Sequence, residues 1–198
     1  MSVPEEATAM NKNNIHIVPA PIPGLLHLRP QLHEDPRGLF LESYRDSIYA
    51  ELGIPDTFVQ DNVVRSVKNV FRGLHFQRPP FAQAKLITLI TGEILDVVLD
   101  LRKDSKSYLQ TALFPLQADK HEQLYIPAGF AHGYYVISEE AIISYKVSRP
   151  YAPEYQSGIR WDSSELQLQE QFRSPLLSEQ DRHLPNLKSF LNEYKFSF

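Results

Sequence analysis

The sequence predicts an all-β domain, a β-sandwich or jelly roll with short peripheral helices, and three observations point that way. Short apolar runs recur at close spacing from Ile15 to Val147, too brief for helices of ordinary length. The 15 prolines fall mostly between those runs, where they suit turns and strand ends. The run Ile94 to Leu101 alternates: Leu95, Val97, Leu99 and Leu101 share one face and Asp96 and Asp100 lie opposite, as in a half-buried antiparallel strand.

The elements follow in order. Residues 1–14 are polar and read as a disordered tail, leaving 15–198 as a single domain. Ile15 to Val18 and Leu25 to Leu28 flank a proline-rich turn and begin the fold as extended segments. His33-Glu-Asp-Pro-Arg-Gly38 is a turn by composition, with a strand expected over Leu39 to Tyr44. Asp46 is placed to cap a short helix whose Tyr49, Ala50 and Leu52 share a face and which Gly53 and Pro55 end. Phe58 to Val64 returns to strand, with Gln60 and Asn62 on one face. Leu86 to Ile90 and Ile94 to Leu101, joined by Thr91-Gly-Glu93, form the clearest hairpin. Tyr108–Phe114, Gln123–Ile126, Gly133–Ile137 and Ala141–Val147 continue the strands, and a closing helix is expected over Leu187 to Tyr194.

Composition narrows the function. A chain of 198 residues with 42% hydrophobic and 22% charged residues has ample material for a closed core. A net charge of −4 excludes general nucleic-acid binding through a basic surface. With no cysteine, disulfides, thiolate metal sites and a cysteine nucleophile are excluded, and a cytoplasmic location fits. No stretch is long and apolar enough to span a bilayer, so no membrane partner is expected.

Three stretches can carry chemistry. Asn69-Val-Phe-Arg-Gly-Leu-His-Phe-Gln77 packs Arg72 and His75 into an apolar run, and Lys85 opens the next. A bulge at Gly73 would turn Arg72 toward the cavity that His75 faces. Two cations and an imidazole on neighbouring strands suit an anionic substrate. Ile126-Pro-Ala-Gly-Phe-Ala-His132-Gly133 delivers a second histidine onto a strand, and alternation puts Tyr145 with Ile143 and Val147. Taken alone, His132 and Tyr145 each fit a structural role as well. Pro127-Ala-Gly-Phe-Ala-His132 has the metal-binding shape Pro-x-Gly-x-x-His, but its expected His-x-His counterpart reads His75-Phe-Gln77. Too few good ligands remain, and no metal or other cofactor is expected. A base, a phenol and cations suit proton abstraction next to a carbonyl. His75 would take the proton, Lys85 would stabilise the enolate and Tyr145 would return a proton from the other side.

Ten motifs in order carry a resemblance. They are Asp35-Pro-Arg37-Gly-Leu-Phe40-Leu-Glu42, Phe58-Val-Gln60-Asp-Asn62, Arg72-Gly-Leu-His75-Phe-Gln77, Gln83-Ala-Lys85-Leu86 and Gly92 to Arg102. Then come Ile126 to Gly133, Tyr145-Lys146, Tyr151-Ala-Pro153, Gly158-Ile-Arg-Trp-Asp162 and Leu177-Ser-Glu-Gln-Asp181. From about Ile22 to Pro185 the chain resembles the dTDP-4-dehydrorhamnose 3,5-epimerase family of the cupin superfamily. The resemblance implies a cupin-type double-stranded β-helix, homodimeric and metal-free, acting on a dTDP-4-keto-6-deoxyhexose. It implies His75 as proton acceptor, Asp181 as the residue that orients it, Tyr145 as proton donor, and Lys85 and His132 near the keto group. Arg37, Phe40, Glu42, Gln60, Asn62, Arg72 and Tyr151 would bind the nucleotide sugar, partly across the dimer interface. Val63, Val64, Val67, Gln156 and Gln180 depart from the family pattern. A single-centre 3- or 5-epimerase on a related sugar, a non-catalytic nucleotide-sugar binder, and, last, a metal-dependent cupin are the alternatives.

Overall fold

The computed structural model describes residues 10–172, 174–193 and 198. In chain order its strands are β1 (Met10–Lys12), β2 (Ile15–Val18), β3 (Leu26–Pro30), β4 (His33–Asp35) and β5 (Gly38–Phe40). After helix α1 (Asp46–Glu51) come β6 (Gln60–Val67), β7 (Phe71–Gln77), β8 (Lys85–Thr91), β9 (Glu93–Asp100) and β10 (Thr111–Gln117). They are followed by β11 (Gln123–Ile126), β12 (Phe130–Val136), β13 (Glu140–Val147) and β14 (Gln156–Gly158), then helices α2 (Glu179–Arg182) and α3 (Leu187–Glu193). None of the described helices is long and apolar enough to cross a membrane.

Two antiparallel sheets face one another in the jelly-roll manner. One is seven-stranded in the order β1-β2-β3-β11-β8-β13-β6, the other five-stranded in the order β10-β9-β12-β7-β14. This arrangement corrects the expected hairpin of Leu86–Ile90 with Ile94–Leu101. β8 pairs with β11 and β13, whereas β9 pairs with β10 and β12. The chain crosses between sheets at Gly92, whose φ of +88° and tight surroundings, with Glu140 O only 2.2 Å from where a Cβ would sit, exclude other residues. Alternation with an intervening glycine looks the same whether two strands pair or enter facing sheets.

The crossover also explains a second correction. Strand β9 is buried on both faces, not one. Ile94 and Val98 join Ile87, Leu89, Ile143 and Leu116 in the core between the sheets. On the opposite side Val97, Leu99 and Leu101 pack with Phe71, Leu74, Phe76, Phe172, Leu187 and Phe190, because the C-terminal segment covers that face. Asp96 and Asp100 therefore lie inside, fully buried. Burial alone would raise Asp100, but hydrogen bonds from Arg102, Ser105 and Ser107 hold its carboxyl below the ordinary value.

Smaller differences follow the same logic. The turn at His33–Gly38 is the tip of an exposed hairpin, β4 with β5, so the strand expected to Tyr44 ends at Phe40. Strand pairing begins at Met10, inside the segment expected as a tail; residues 1–9 of that segment lie outside the described residues. In α1 the cap position is Arg45, and Asp46 is the first helical residue, accepting from the Tyr44 hydroxyl at 3.0 Å. Tyr49 and Leu52 face the outer core of the seven-stranded sheet, while Ala50 is exposed. Helix α3 lies where the closing helix is expected, though Tyr194 is outside the described residues.

Candidate active site

Strand β7 presents its functional side chains through a bulge. His132 of β12 stands opposite His75, and Tyr134 opposite Arg72, so β7 carries one residue more than its partner over this interval. Gly73, at φ +122°, and Gly133 make the close approach possible. A Cβ on Gly73 would lie 2.6 Å from Gly133 Cα, and one on Gly133 would lie 2.5 Å from Arg72 O. The extra residue turns Arg72 to the side of His75, while Phe71, Leu74 and Phe76 stay in the apolar cluster behind.

That side opens on a cavity of about 350 Å³ bordered by both sheets. Arg72, His75, Lys85, His132, Tyr145, Tyr151 and Asp181 all line it. Asp181 is distant in sequence and arrives on α2, where Ser178 caps the helix by accepting from the Asp181 amide at 3.1 Å. Its buried carboxylate lies 2.6 Å from His75 Nε2. An ionised carboxylate only accepts, so Nε2 holds the proton in the neutral ring and Nδ1 keeps a lone pair. The arrangement allows His75 to act as a base, with a carboxylate in place to stabilise the imidazolium that protonation would form.

The other groups complement it. His132 Nε2 lies 2.8 Å from Asp96 Oδ2. Burial pushes the His132 imidazole down, against the opposing pull of Asp96, which favours a neutral ring donating to that carboxylate. Lys85 Nζ donates to the His75 carbonyl at 3.2 Å. Burial brings this lysine down to about 8, with the Asp96 carboxylate opposing. Burial raises the Tyr145 phenol, with Arg72 opposing, so the phenol holds its proton at neutral pH. Gln77 contributes no free amide: its Nε2 donates to the carbonyls of Phe81 and Pro150, and its Oε1 accepts from Ala152 N at 2.8 Å.

Other sequence-predicted residues sit apart. Arg37 is paired with Asp35 on the exposed β4–β5 hairpin, Phe40 is 69% exposed, and Glu42 pairs with Arg45 at 2.7 Å. Gln60 Nε2 donates to Asn62 Oδ1 at 2.9 Å, and its Oε1 accepts from the Tyr151 amide at 3.0 Å. This pair braces the cavity rim, where the Tyr151 hydroxyl donates to Gln156 Oε1. Of the departures from the family pattern, Val64, Gln156 and Gln180 line the cavity, whereas Val63 and Val67 are exposed. Sequence reasoning missed Asp96 and Tyr134. The signal for Asp96 was a carboxylate inside an apolar strand; for Tyr134 it was the polar end of an otherwise apolar strand side chain.

Comparisons with known proteins find the chain similar to sugar-nucleotide epimerases. The family described as dTDP-4-dehydrorhamnose 3,5-epimerase matches residues 19–189. The dTDP-4-dehydrorhamnose 3,5-epimerase of Pseudomonas aeruginosa is 43% identical over 163 residues, 81% of this chain and 90% of that protein. The crystal structure of the Bacillus anthracis enzyme, with TDP and PPi bound, superposes with a TM-score of 0.85 at 42% identity, covering 87% of this chain and 99% of that one. The Legionella pneumophila epimerase, in complex with dTDP-4-keto-L-rhamnose, gives a TM-score of 0.84 at 37% identity over 88% and 93% of the two chains.

Proposed function

The chain belongs to the dTDP-4-dehydrorhamnose 3,5-epimerase family, and on that premise we propose which of its residues move protons and which hold the ligand. The reaction converts dTDP-4-dehydro-6-deoxy-α-D-glucose to dTDP-4-dehydro-β-L-rhamnose, inverting C3 and C5 on either side of the 4-keto group. The observation that carries the assignment is the His75–Asp181 pair, 2.6 Å apart, on the same cavity as Tyr145. His75 removes the proton beside the ketone, and the electron pair moves onto the carbonyl oxygen as an enolate. Lys85 and His132 meet that oxygen, Lys85 as a cation. Tyr145 delivers its proton to the opposite face of the carbon and is recharged from solvent. Once the His75 imidazolium has released its proton to solvent, repeating the cycle at the second carbon needs only that the ring shift. Incubation with the keto sugar in deuterated water, followed by NMR, should place deuterium at both C3 and C5 with inverted couplings. Label at one carbon alone would rule out the double epimerisation.

A pH dependence follows from Lys85. Its ammonium is lost as the pH rises through about 8, and kcat/KM should fall over the same range. A profile flat to well above that pH would remove Lys85 as the electrostatic partner. Folding responds in the opposite sense. Between about 8 and the ordinary 10.5 the unfolded chain binds the proton that the folded chain has released, so this group makes stability rise with pH.

The nucleotide half of the ligand is assigned to Arg72 and Tyr151 of the same chain, with Gln60 and Asn62 holding the Tyr151 segment. Arg37, Phe40 and Glu42 are assigned across a homodimer interface. Supporting this, Phe40 stands exposed on a hairpin, and β6 is a sheet edge whose Val63 and Val67 are exposed. Light scattering should give twice the 22.8 kDa of one chain, and Phe40→Ala should raise KM about tenfold with little change in kcat. A monomer with full activity would return these residues to an ordinary surface role.

A further inference from the structure

Two hydroxyls beside the cavity have no part in the proton transfers, yet they are joined to a guanidinium that borders it. Arg72 Nε donates to Ser66 Oγ at 3.0 Å, and Ser66 Oγ lies 3.1 Å from the Tyr134 hydroxyl. Arg72 and Tyr134 are cross-strand partners in the five-stranded sheet, whereas Ser66 is on β6 of the seven-stranded sheet. The three groups therefore tie the sheets together at the cavity wall. Ser66 is buried, and both Arg72 and Tyr134 line the cavity.

The direction of the bonds gives the arrangement its use. A guanidinium N–H only donates, so Ser66 Oγ accepts from Arg72. The bond between Ser66 Oγ and the Tyr134 hydroxyl can be donated from either side, and in both cases it holds the serine oxygen against the guanidinium. With Nε fixed in this way, Arg72 has no further hydrogen bond to the described residues, and its two terminal nitrogens stay available as a fork. That planar fork matches two oxygens of a phosphate. A long, exposed arginine without the tether would lose more rotamer freedom on meeting its ligand.

We infer that Ser66 and Tyr134 are positioning residues that aim the Arg72 fork at the diphosphate of the nucleotide sugar. The inference rests on the assignment of Arg72 to that diphosphate. Tyr134→Phe removes one oxygen and leaves the ring to fill its place, and Ser66→Ala is comparably small. Each is expected to weaken calorimetric binding of dTDP about fivefold to tenfold, consistent with loss of a hydrogen bond supporting a charged group. KM should rise by a similar factor with kcat within about twofold, a split that a general loss of packing would not give. Arg72→Ala should weaken dTDP by about a hundredfold, and adding Tyr134→Phe to it should cost nothing more. If Tyr134→Phe and Ser66→Ala bind dTDP like the parent while Arg72→Ala does not, the positioning role is wrong and the diphosphate assignment stands. A full Tyr134→Phe effect persisting in the Arg72→Ala background would likewise overturn the inference. If Arg72→Ala itself binds dTDP like the parent, the diphosphate assignment fails and the inference falls with it.

Discussion

His75→Ala is expected to lower kcat by about a hundredfold to ten-thousandfold, because it removes the group assigned to take the proton, and general bases commonly contribute about 10²–10⁴-fold. Nothing else in the cavity replaces it easily. His132 lies opposite His75 across the β7–β12 pair, but its Nε2 is engaged by the buried Asp96 and burial disfavours its charged form. Asp181 is 4% exposed and would face the substrate only through the space the imidazole leaves. The variant should still bind dTDP within a fewfold of the parent, since the nucleotide contacts are assigned to other residues. Stability should fall as well, because the change leaves the buried Asp181 carboxylate without the imidazole that lies 2.6 Å from it. The measurement is deuterium incorporation at C3 and C5 alongside calorimetric binding. Near-normal exchange would remove His75 from the mechanism, and lost binding would recast it as a ligand contact. Asp181→Asn tests the dyad from its other end. The amide keeps the shape but no longer stabilises the imidazolium, so kcat should fall steeply while KM stays near its parent value.

How much of this was legible in the sequence depended on whether the signal was local. His75, Lys85, His132 and Tyr145 each stand within a strand whose alternation could be counted, and the structure brings all of them to one cavity. The bulge was legible because Gly73 interrupts an otherwise regular apolar run. Sheet membership was not. The strands on either side of Gly92 carry the same alternation whether they pair or face one another, and only the long-range partners β11, β12 and β13 decide. The burial of Asp96 and Asp100 follows from that same unseen step. A strand between two covered faces can hold carboxylates only if partners wait for them, and those partners, His132 for one and Arg102 with two serines for the other, could not be assigned before the sheets were known. Asp181 lies on a helix of four residues too short to announce itself by periodicity. It was reached through the resemblance of its motif rather than by pattern. Arg37, Phe40 and Glu42 came from the resemblance too, and within one chain they are an exposed hairpin and its flank rather than part of the cavity.

Tyr145→Phe should separate the two halves of the reaction. The ring would still pack beside Ile87 and Ile143, since only the phenolic oxygen is lost, so the cavity wall should keep its shape. The proton it would donate is held firmly at neutral pH, because burial raises the phenol and the charge of Arg72 only partly offsets this. Without that acid the enolate loses the donor assigned to the face away from His75. Inversion at C3 and C5 is then expected to slow by about a hundredfold or more. Proton removal by His75 does not require the phenol. In deuterated water the imidazolium can exchange its proton with solvent and return a deuteron to the same face, giving labelled substrate with its original configuration. The quantity to follow is therefore the ratio of deuterium wash-in to inversion, which should rise well above the parent's. Parent-like inversion would reject Tyr145 as the acid. A proportional fall in both rates, with the ratio unchanged, would instead mean that the hydroxyl serves the deprotonation step, by holding the sugar or its enolate in place.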